Sequence, residues 1–267
     1  MRRSALWVCA CALVVYGAGA ALLLANRHAL IYPFQAGPTW ALAPGERIAK
    51  LSGSPQLDVW LSNPREEAPV ILYFLGNGGR LADARSRMRF MADQGFGFAV
   101  MTYRGSVGQP GTPSETGILA DAARLDAELS ELMGELIPSH RRVFWGTSLG
   151  AAVATAQASA RQEPPAGLVI EAGFTRLCDA AQAAYPIFPA CWLMWDERYD
   201  TAARLPGLKA PVLLLHGQQD QVIPFDHAVA NAKIRSDAVF KVYPEGAHSD
   251  LTRHGALEDI LRFIEDL

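Results

Sequence analysis

Residues 143–156 read VFWGTSLGAAVATA, an apolar run that ends in Gly-x-Ser-x-Gly and continues as a run of small residues. The apolar run predicts a buried strand, and the small residues predict a helix. Between a strand and a helix, this pattern indicates a nucleophile elbow, which presents a serine hydroxyl at the tip of a sharp turn. Gly146 and Gly150 flank Ser148 because a Cβ at either position would collide with the turn. We therefore predict that Ser148 is a nucleophile.

Two residues later in the chain complete a candidate catalytic set with Ser148. A serine hydroxyl is a weak nucleophile at neutral pH, so it needs a histidine base and a carboxylate that orients the base. In an open α/β sheet these groups come from loops at the carboxyl ends of strands. Asp220 follows a predicted strand at residues 211–215, and His248 follows another at residues 239–242. Asp250, two residues after His248, is an alternative acid, although its position favours a helix start.

Composition and patterning predict one α/β domain. The chain has 267 residues, half of them hydrophobic, which is enough for one large core. A formal net charge of −3 provides no basic surface, so we expect no nucleic-acid partner. Strand and helix signals alternate, which predicts a mostly parallel central sheet with helices on both faces. Short strand signals near residues 47–51 and 57–61 predict an opening hairpin at a sheet edge. No histidine pair has metal-ligand spacing, and we expect neither a metal nor an organic cofactor.

Several motifs, taken together, resemble those of the α/β-hydrolase superfamily over nearly the whole chain. Besides the elbow they are LGNGG (75–79), YRG (103–105), GTPSE (111–115), EAGFT (171–175), HGQQD (216–220) and GAH (246–248). The order Ser148, Asp220, His248 is the order of that superfamily. The sequence is most similar to its membrane-anchored branch, which includes acyl-protein thioesterases and lysophospholipid or monoacylglycerol hydrolases. The resemblance implies a serine hydrolase that cleaves carboxylic esters or thioesters of acyl or lipid-like substrates.

The resemblance also implies roles for individual residues. Ser148 would be the nucleophile, His248 the general base and then acid, and Asp220 the group that orients His248. The backbone N–H groups of Leu149 and Asn77 would form the oxyanion hole. The family often has a histidine where this chain has Leu75, so the polar support of that loop is expected to differ. Glu171 is an alternative acid, but the resemblance places it in a structural turn.

The N-terminus predicts a membrane anchor over residues 1–28, followed by a catalytic domain over residues 29–267. No residue between 5 and 25 is charged, and these 21 residues would extend about 32 Å as a helix. Arg2 and Arg3 outweigh Arg27, which predicts a cytoplasmic N-terminus. In a bacterial inner membrane the catalytic domain would then be periplasmic. The alternative is a signal peptide cleaved near Ala20, which would give a secreted protein. A buried helix of a soluble protein is the weakest of the three interpretations.

A cap-like segment over residues 173–199 is the least regular part of the chain. We predict that Phe174, Tyr185, Phe188 and Trp192 line a pocket for an acyl chain above Ser148. Ordinary packing of this segment on the core is the alternative. Cys178 and Cys191 are expected to be small buried hydrophobic residues, and a disulfide between them is the alternative.

Two other functions compete with the esterase prediction. A peptidase of the same fold usually has an additional propeller or a large lid domain, for which this chain has no room. A non-catalytic anchored domain that binds lipids or a partner would be indicated by a broken catalytic set. Ser148, Asp220 and His248 are all present.

Overall fold

The computed structural model describes residues 2–37 and 39–267, and their side chains from residue 6 onward. Met1, in the predicted anchor, and the Arg2 and Arg3 side chains therefore lie outside the described part. The strands are β1 (Glu46–Lys50), β2 (Asp58–Ser62), β3 (Val70–Phe74), β4 (Gly97–Met101), β5 (Arg142–Thr147), β6 (Gly167–Glu171), β7 (Val212–Gly217) and β8 (Val239–Tyr243). The helices are α1 (Arg2–Ile31), α2 (Leu81–Asp93), α3 (Glu115–Met133), α4 (Leu149–Ala160), α5 (Leu177–Ala184), α6 (Ala190–Leu193), α7 (Thr201–Arg204), α8 (Asp226–Ile234) and α9 (Ala256–Glu265).

The strands form one twisted sheet in the order β1-β2-β4-β3-β5-β6-β7-β8. Strand β2 pairs antiparallel with β1 and β4, and the other pairs are parallel. This confirms the predicted hairpin and the mostly parallel sheet. All residues of β3, β4, β6 and β7 are buried, as expected for strands that helices cover on both faces. The edge strands β1 and β8 are partly exposed.

Two groups of helices cover the sheet. Helix α2 contacts α9 in one group, and α4 contacts α3 and α7 in the other. Helix α3 begins at its N-cap Ser114, whose Oγ accepts a hydrogen bond from the Gly117 N–H at 3.1 Å. Since strands β3 to β8 all run parallel, the loops that follow them meet at one edge of the sheet. Those loops contain the candidate functional residues.

Helix α1 continues past the predicted boundary at residue 28. Its segment Leu6–Ile31 is long and apolar enough to cross a membrane, by length and composition. The side chains of residues 6–18 are exposed, whereas Ile31 and Tyr32 are buried in the domain. The last turn of α1 and Tyr32 therefore pack on the rest of the chain.

Cys178 and Cys191 form a disulfide, with a Cα–Cα distance of 4.7 Å. The expectation that they are separate buried thiols is therefore wrong. Cys178 lies on α5 and Cys191 on the short helix α6, so the bond links the two helices of the cap segment. A separation of 13 residues along the sequence gives no indication of this proximity, because the intervening loop reverses the chain.

Candidate active site

Ser148 occupies a strained turn between β5 and α4. Its backbone has φ 56° and ψ −119°, a conformation that non-glycine residues rarely adopt. A Cβ on Gly146 would lie 2.0 Å from the Gly150 carbonyl oxygen, and a Cβ on Gly150 would lie 2.0 Å from the Phe74 carbonyl oxygen. Only glycine fits at both positions, so the turn has the geometry that the sequence predicts. It leaves the hydroxyl of Ser148 at the tip.

The Ser148 turn opens into a mostly apolar cavity of about 220 Å³. Phe174, Tyr185 and Phe188 line this cavity, as predicted from the sequence. Trp192 does not: 85% of its surface is exposed, and it lies outside the cavity lining. On the short helix α6, the Trp192 indole faces solvent, and Leu193 lines the cavity instead.

His248 and Asp220 form a hydrogen-bonded pair near the cavity, with 2.7 Å between Nδ1 and Oδ2. The other Asp220 oxygen, Oδ1, accepts the backbone N–H groups of Val222 at 2.9 Å and Ile223 at 2.8 Å. Val222 and Ile223 also line the cavity, which links the His248–Asp220 pair to the cavity wall. His216 is buried and places Nε2 at 3.3 Å from Asp220 Oδ2.

These contacts determine the charge of Asp220. Burial favours its protonated form, but hydrogen bonds from His216, His248 and the Ile223 N–H outweigh burial and lower the pKa of Asp220 well below its usual range. The carboxyl group is therefore ionised at neutral pH. An anion at this position favours the tautomer of His248 that carries its proton on Nδ1 and presents Nε2 as a base.

Backbone N–H groups beside Ser148 are free to bind an anion. Among the described residues, neither the Leu149 nor the Asn77 N–H donates a hydrogen bond, and both residues line the cavity. A Cβ on Gly76 would lie 3.8 Å from Ser148 Cβ, so the loop after β3 passes directly beside the serine. The Tyr103 hydroxyl donates to the Leu75 carbonyl at 2.6 Å and fixes this loop.

Asp250 has a local structural role. Its Oδ1 accepts the Ala247 N–H at 2.7 Å, and its Oδ2 lies 3.9 Å from His254 Nε2. These contacts stabilise the turn that carries His248. Asp220, not Asp250, is the carboxylate on the His248 ring.

A buried ion pair between Arg87 and Glu171 lies beside the elbow. Glu171 accepts hydrogen bonds from Arg87 Nη2 at 2.5 Å, from Trp145 Nε1 at 3.0 Å and from Thr147 Oγ1 at 3.0 Å. Its carbonyl oxygen accepts the Ser148 N–H at 2.9 Å. Burial would raise the pKa of Glu171, but Arg87 and the other donors lower it below its usual range. Glu171 is thus a charged structural residue.

We expect Glu171→Gln to destabilise the folded protein by about 3–5 kcal/mol, because it leaves the Arg87 guanidinium buried without its counter-ion. Denaturant unfolding of the detergent-solubilised full chain measures this loss, with Glu163→Gln, an exposed glutamate, as the control. The fraction that stays folded should still react with a fluorophosphonate. If instead stability were unchanged and reactivity were lost, Glu171 would be the catalytic acid.

Helix α1 contributes residues to the site that the sequence does not reveal. Leu23, Arg27, Leu30 and Ile31 line the same cavity as Ser148. An apolar helix that crosses a membrane and one that lines an apolar cavity need the same residue types. No periodic pattern therefore marks the face of α1 that contacts the cavity.

Sequence comparisons show which known proteins the chain resembles. The profile of the phospholipase/carboxylesterase family matches residues 107–267. An uncharacterized protein of Mycobacterium tuberculosis is 34% identical over 208 residues, covering 74% of this chain and 70% of its own. The lysophosphatidylserine lipase ABHD12 of Rattus norvegicus is 31% identical over 205 residues, which cover 68% of this chain. This chain spans 50% of the length of that lipase.

A structural comparison agrees on the fold. The esterase Pf2001 of Pyrococcus furiosus superposes with a TM-score of 0.69 at 14% identity, covering 87% of this chain and 97% of its own. At this identity the similarity concerns the fold alone. The family profile, which matches more than half of the chain, identifies the family. The chain belongs to the phospholipase/carboxylesterase family of α/β-hydrolases and is a hydrolase of the esterase and lipase type.

Proposed function

We propose that the chain is a membrane-anchored serine hydrolase that cleaves carboxylic ester or thioester bonds of acyl substrates through Ser148, His248 and Asp220. The observation that carries this proposal is the position of Ser148. Its strained turn presents the hydroxyl to an apolar cavity, beside two free backbone N–H groups. Such a site suits an uncharged acyl chain with a single polar, reactive carbonyl.

The proposed reaction uses these groups in two steps. Ser148 Oγ attacks the acyl carbonyl carbon while His248 Nε2 accepts the hydroxyl proton. The Leu149 and Asn77 N–H groups donate to the oxyanion of the tetrahedral intermediate, and each such donor typically contributes about 10²–10³ in rate. His248 then protonates the leaving alcohol or thiol, and the acyl group remains on Ser148. Water, deprotonated by His248, releases the acid.

Among the described residues, Ser148 Oγ has no hydrogen-bond partner. Catalytic hydrogen bonds are often long without substrate and shorten when it binds. The ionised Asp220 stabilises the imidazolium that forms when His248 accepts the proton.

The cavity volume limits the acyl chain. An apolar cavity of about 150 Å³ accommodates benzene, so about 220 Å³ accommodates a chain of roughly nine carbons, and longer chains would extend through the opening. The rat relative is named for its action on a lysophospholipid, which has one acyl ester. A single-chain lipid ester fits one apolar cavity of this size, and we propose this substrate class.

The anchor and the compartment belong to the same proposal. Helix α1 provides the apolar span, and the basic N-terminal residues favour a cytoplasmic N-terminus. The disulfide between Cys178 and Cys191 supports a catalytic domain in an oxidising compartment on the other side.

A substrate panel tests the proposal. The full chain in mixed micelles should release fatty acid from lysophospholipids, monoacylglycerols or acyl thioesters, with no metal added. The proposed function would be contradicted if none of these substrates released fatty acid, or if Ser148→Ala released it at an unchanged rate.

A variant of the cavity wall should shorten the preferred acyl chain. Ala181 lines the cavity, whereas Ala183 on the same helix α5 is exposed and does not. An indole at position 181 occupies space that a long chain needs, so Ala181→Trp should lower kcat/KM for a decanoyl ester about tenfold relative to a butyryl ester. Ala183→Trp is the matched control and should leave the ratio unchanged. Equal effects of both variants would argue against this cavity as the acyl site.

A further inference from the structure

We infer that the cap loop, residues 185–195, lies within the membrane leaflet beside α1, so that the active-site cavity opens toward the acyl chains of the bilayer. The inference rests on α1 crossing a membrane, which is part of the proposed function. It adds a second element in contact with lipid and a route by which a lipid substrate reaches Ser148 without entering water.

Direct contacts dock α1 on the cap loop. The Tyr16 ring stacks on Phe188 with 5.2 Å between ring centroids, and the Tyr16 hydroxyl donates to the Ile187 carbonyl at 3.2 Å. One turn further along α1, a Cβ on Gly19 would lie 2.9 Å from the Phe188 ring. The absence of a side chain at Gly19 thus lets the ring pack closely on the helix backbone.

The length of α1 places these contacts inside the bilayer. The apolar segment starts at Leu6, so only residues 6–15 precede the first cap contact at Tyr16. Ten helical residues extend about 15 Å, whereas the hydrocarbon core is about 30 Å thick. A bilayer that α1 crosses must therefore continue for roughly ten residues beyond residue 15, to about Ala25. The cap loop is docked along that part of α1.

The surface of the cap loop suits this environment. No residue between Asp179 and Asp196 is charged. Three large apolar side chains of the loop are well exposed: Ile187 at 74%, Trp192 at 85% and Trp195 at 64%. An exposed apolar surface of this kind indicates an interaction site, and tryptophan is enriched where proteins meet the membrane interface. Trp192, which does not line the cavity, thereby receives a role at the lipid surface.

Charged residues return at the same level on both elements. The uncharged run of α1 ends at Arg27, and that of the cap segment ends at Asp196. These two side chains form an ion pair with 2.6 Å between Nη2 and Oδ2. Two segments far apart in the sequence thus change from uncharged to charged at the same level along the membrane normal. This level marks the boundary of the hydrocarbon region.

The cavity lies between these two elements. Leu23 and Leu30 of α1 line one side, and Phe188 and Leu193 of the cap line another. Leu23 lies below Arg27 and Leu30 above it along α1, so the cavity extends across the boundary. A bilayer lipid holds its ester near this boundary with its acyl chain below. Its acyl chain can therefore enter between α1 and the cap loop while the ester approaches Ser148.

Spin labels measure the depth of the cap loop directly. The full chain is placed in phosphatidylcholine nanodiscs, with the free Cys9 and Cys11 replaced by serine and the disulfide retained. Labels go on Ile187→Cys in the loop, on Val14→Cys in α1, and on Leu136→Cys. Leu136 is 77% exposed and precedes β5, at the sheet edge opposite the cap. We expect oxygen, which partitions into lipid, to relax the Ile187 and Val14 labels, and a water-soluble nickel chelate to relax only the Leu136 label.

The Val14 label separates the two ways in which the inference can fail. If the Val14 label is in lipid and the Ile187 label is in water, the anchor exists but the cap loop does not enter the leaflet, and the inference is wrong. If both labels are in water, α1 does not span the bilayer, and the anchor and the inference fail together.

A charged variant tests the route. Ile187 does not line the cavity, so Ile187→Asp should leave hydrolysis of a soluble butyryl ester unchanged. Burial of a carboxylate in the leaflet costs free energy. We therefore expect the variant to hydrolyse a long-chain ester held in vesicles at least about tenfold more slowly. Leu136→Asp is the control and should change neither rate. Equal vesicle rates for Ile187→Asp and the unmodified chain would overturn the inference.

Discussion

Replacement of Ser148 by alanine is expected to lower ester hydrolysis by about 10⁴–10⁶-fold while the protein stays folded. The substitution removes only the attacking oxygen, and the Leu149 and Asn77 N–H groups remain to bind the carbonyl. Alanine occupies the φ of 56° with the same Cβ as serine, so the turn gains no new strain. Initial rates on a short-chain p-nitrophenyl ester, together with the melting temperature, measure both parts of this prediction.

A second serine provides the control for the Ser148 variant. Ser159 lies on the same helix α4, and its hydroxyl donates only to the Ala156 carbonyl, at 3.0 Å. Ser159→Ala should therefore keep the full rate. A Ser148→Ala protein that retains more than a trace of activity would mean that another group attacks the substrate.

Asp220→Asn is expected to lower kcat by about 10³–10⁴-fold with little change in fold. The asparagine Oδ1 can still accept the Val222 and Ile223 N–H groups, so the loop keeps its conformation. Its amide NH₂ then faces His248 Nδ1 in place of Oδ2. The amide donates a hydrogen bond to Nδ1, so the neutral imidazole must carry its proton on Nε2. A protonated Nε2 can no longer act as the base toward Ser148.

Asp250→Asn is the matched control for this second prediction. Asp250 also carries a carboxylate beside the His248 loop, but it binds the Ala247 N–H and not the His248 ring. Its substitution should cost much less activity than Asp220→Asn. Steady-state kinetics on both variants decides between the two acids. A larger loss from Asp250→Asn would reverse the assignment.

The part of the site that depends on local geometry could be predicted from the sequence. A strand followed by Gly-x-Ser-x-Gly and a helix has few other conformations, because the two glycines permit a backbone approach that any side chain would block. The loops that carry Asp220 and His248 follow two predicted strands, the buried β7 and the edge strand β8. Parallel pairing then brings these loops to one edge of the sheet.

The part that depends on tertiary packing could not be predicted in the same way. Trp192 was expected in the cavity because the cap is apolar throughout, and composition does not say which side of a four-residue helix faces inward. Helix α1 is also apolar throughout, so its contact with Phe188 could not be predicted from the sequence. The disulfide between Cys178 and Cys191 depends on the path of the intervening segment, which contains two prolines and no periodic pattern.

The central claim, that Ser148 is the nucleophile, has a direct measurement. The full chain is treated with a fluorophosphonate, digested, and mapped by mass spectrometry. We predict one phosphonyl adduct, on Ser148 in the peptide that contains the GTSLG turn, and none in Ser148→Ala. An adduct on a different residue, or labelling that persists in Ser148→Ala, would contradict the claim.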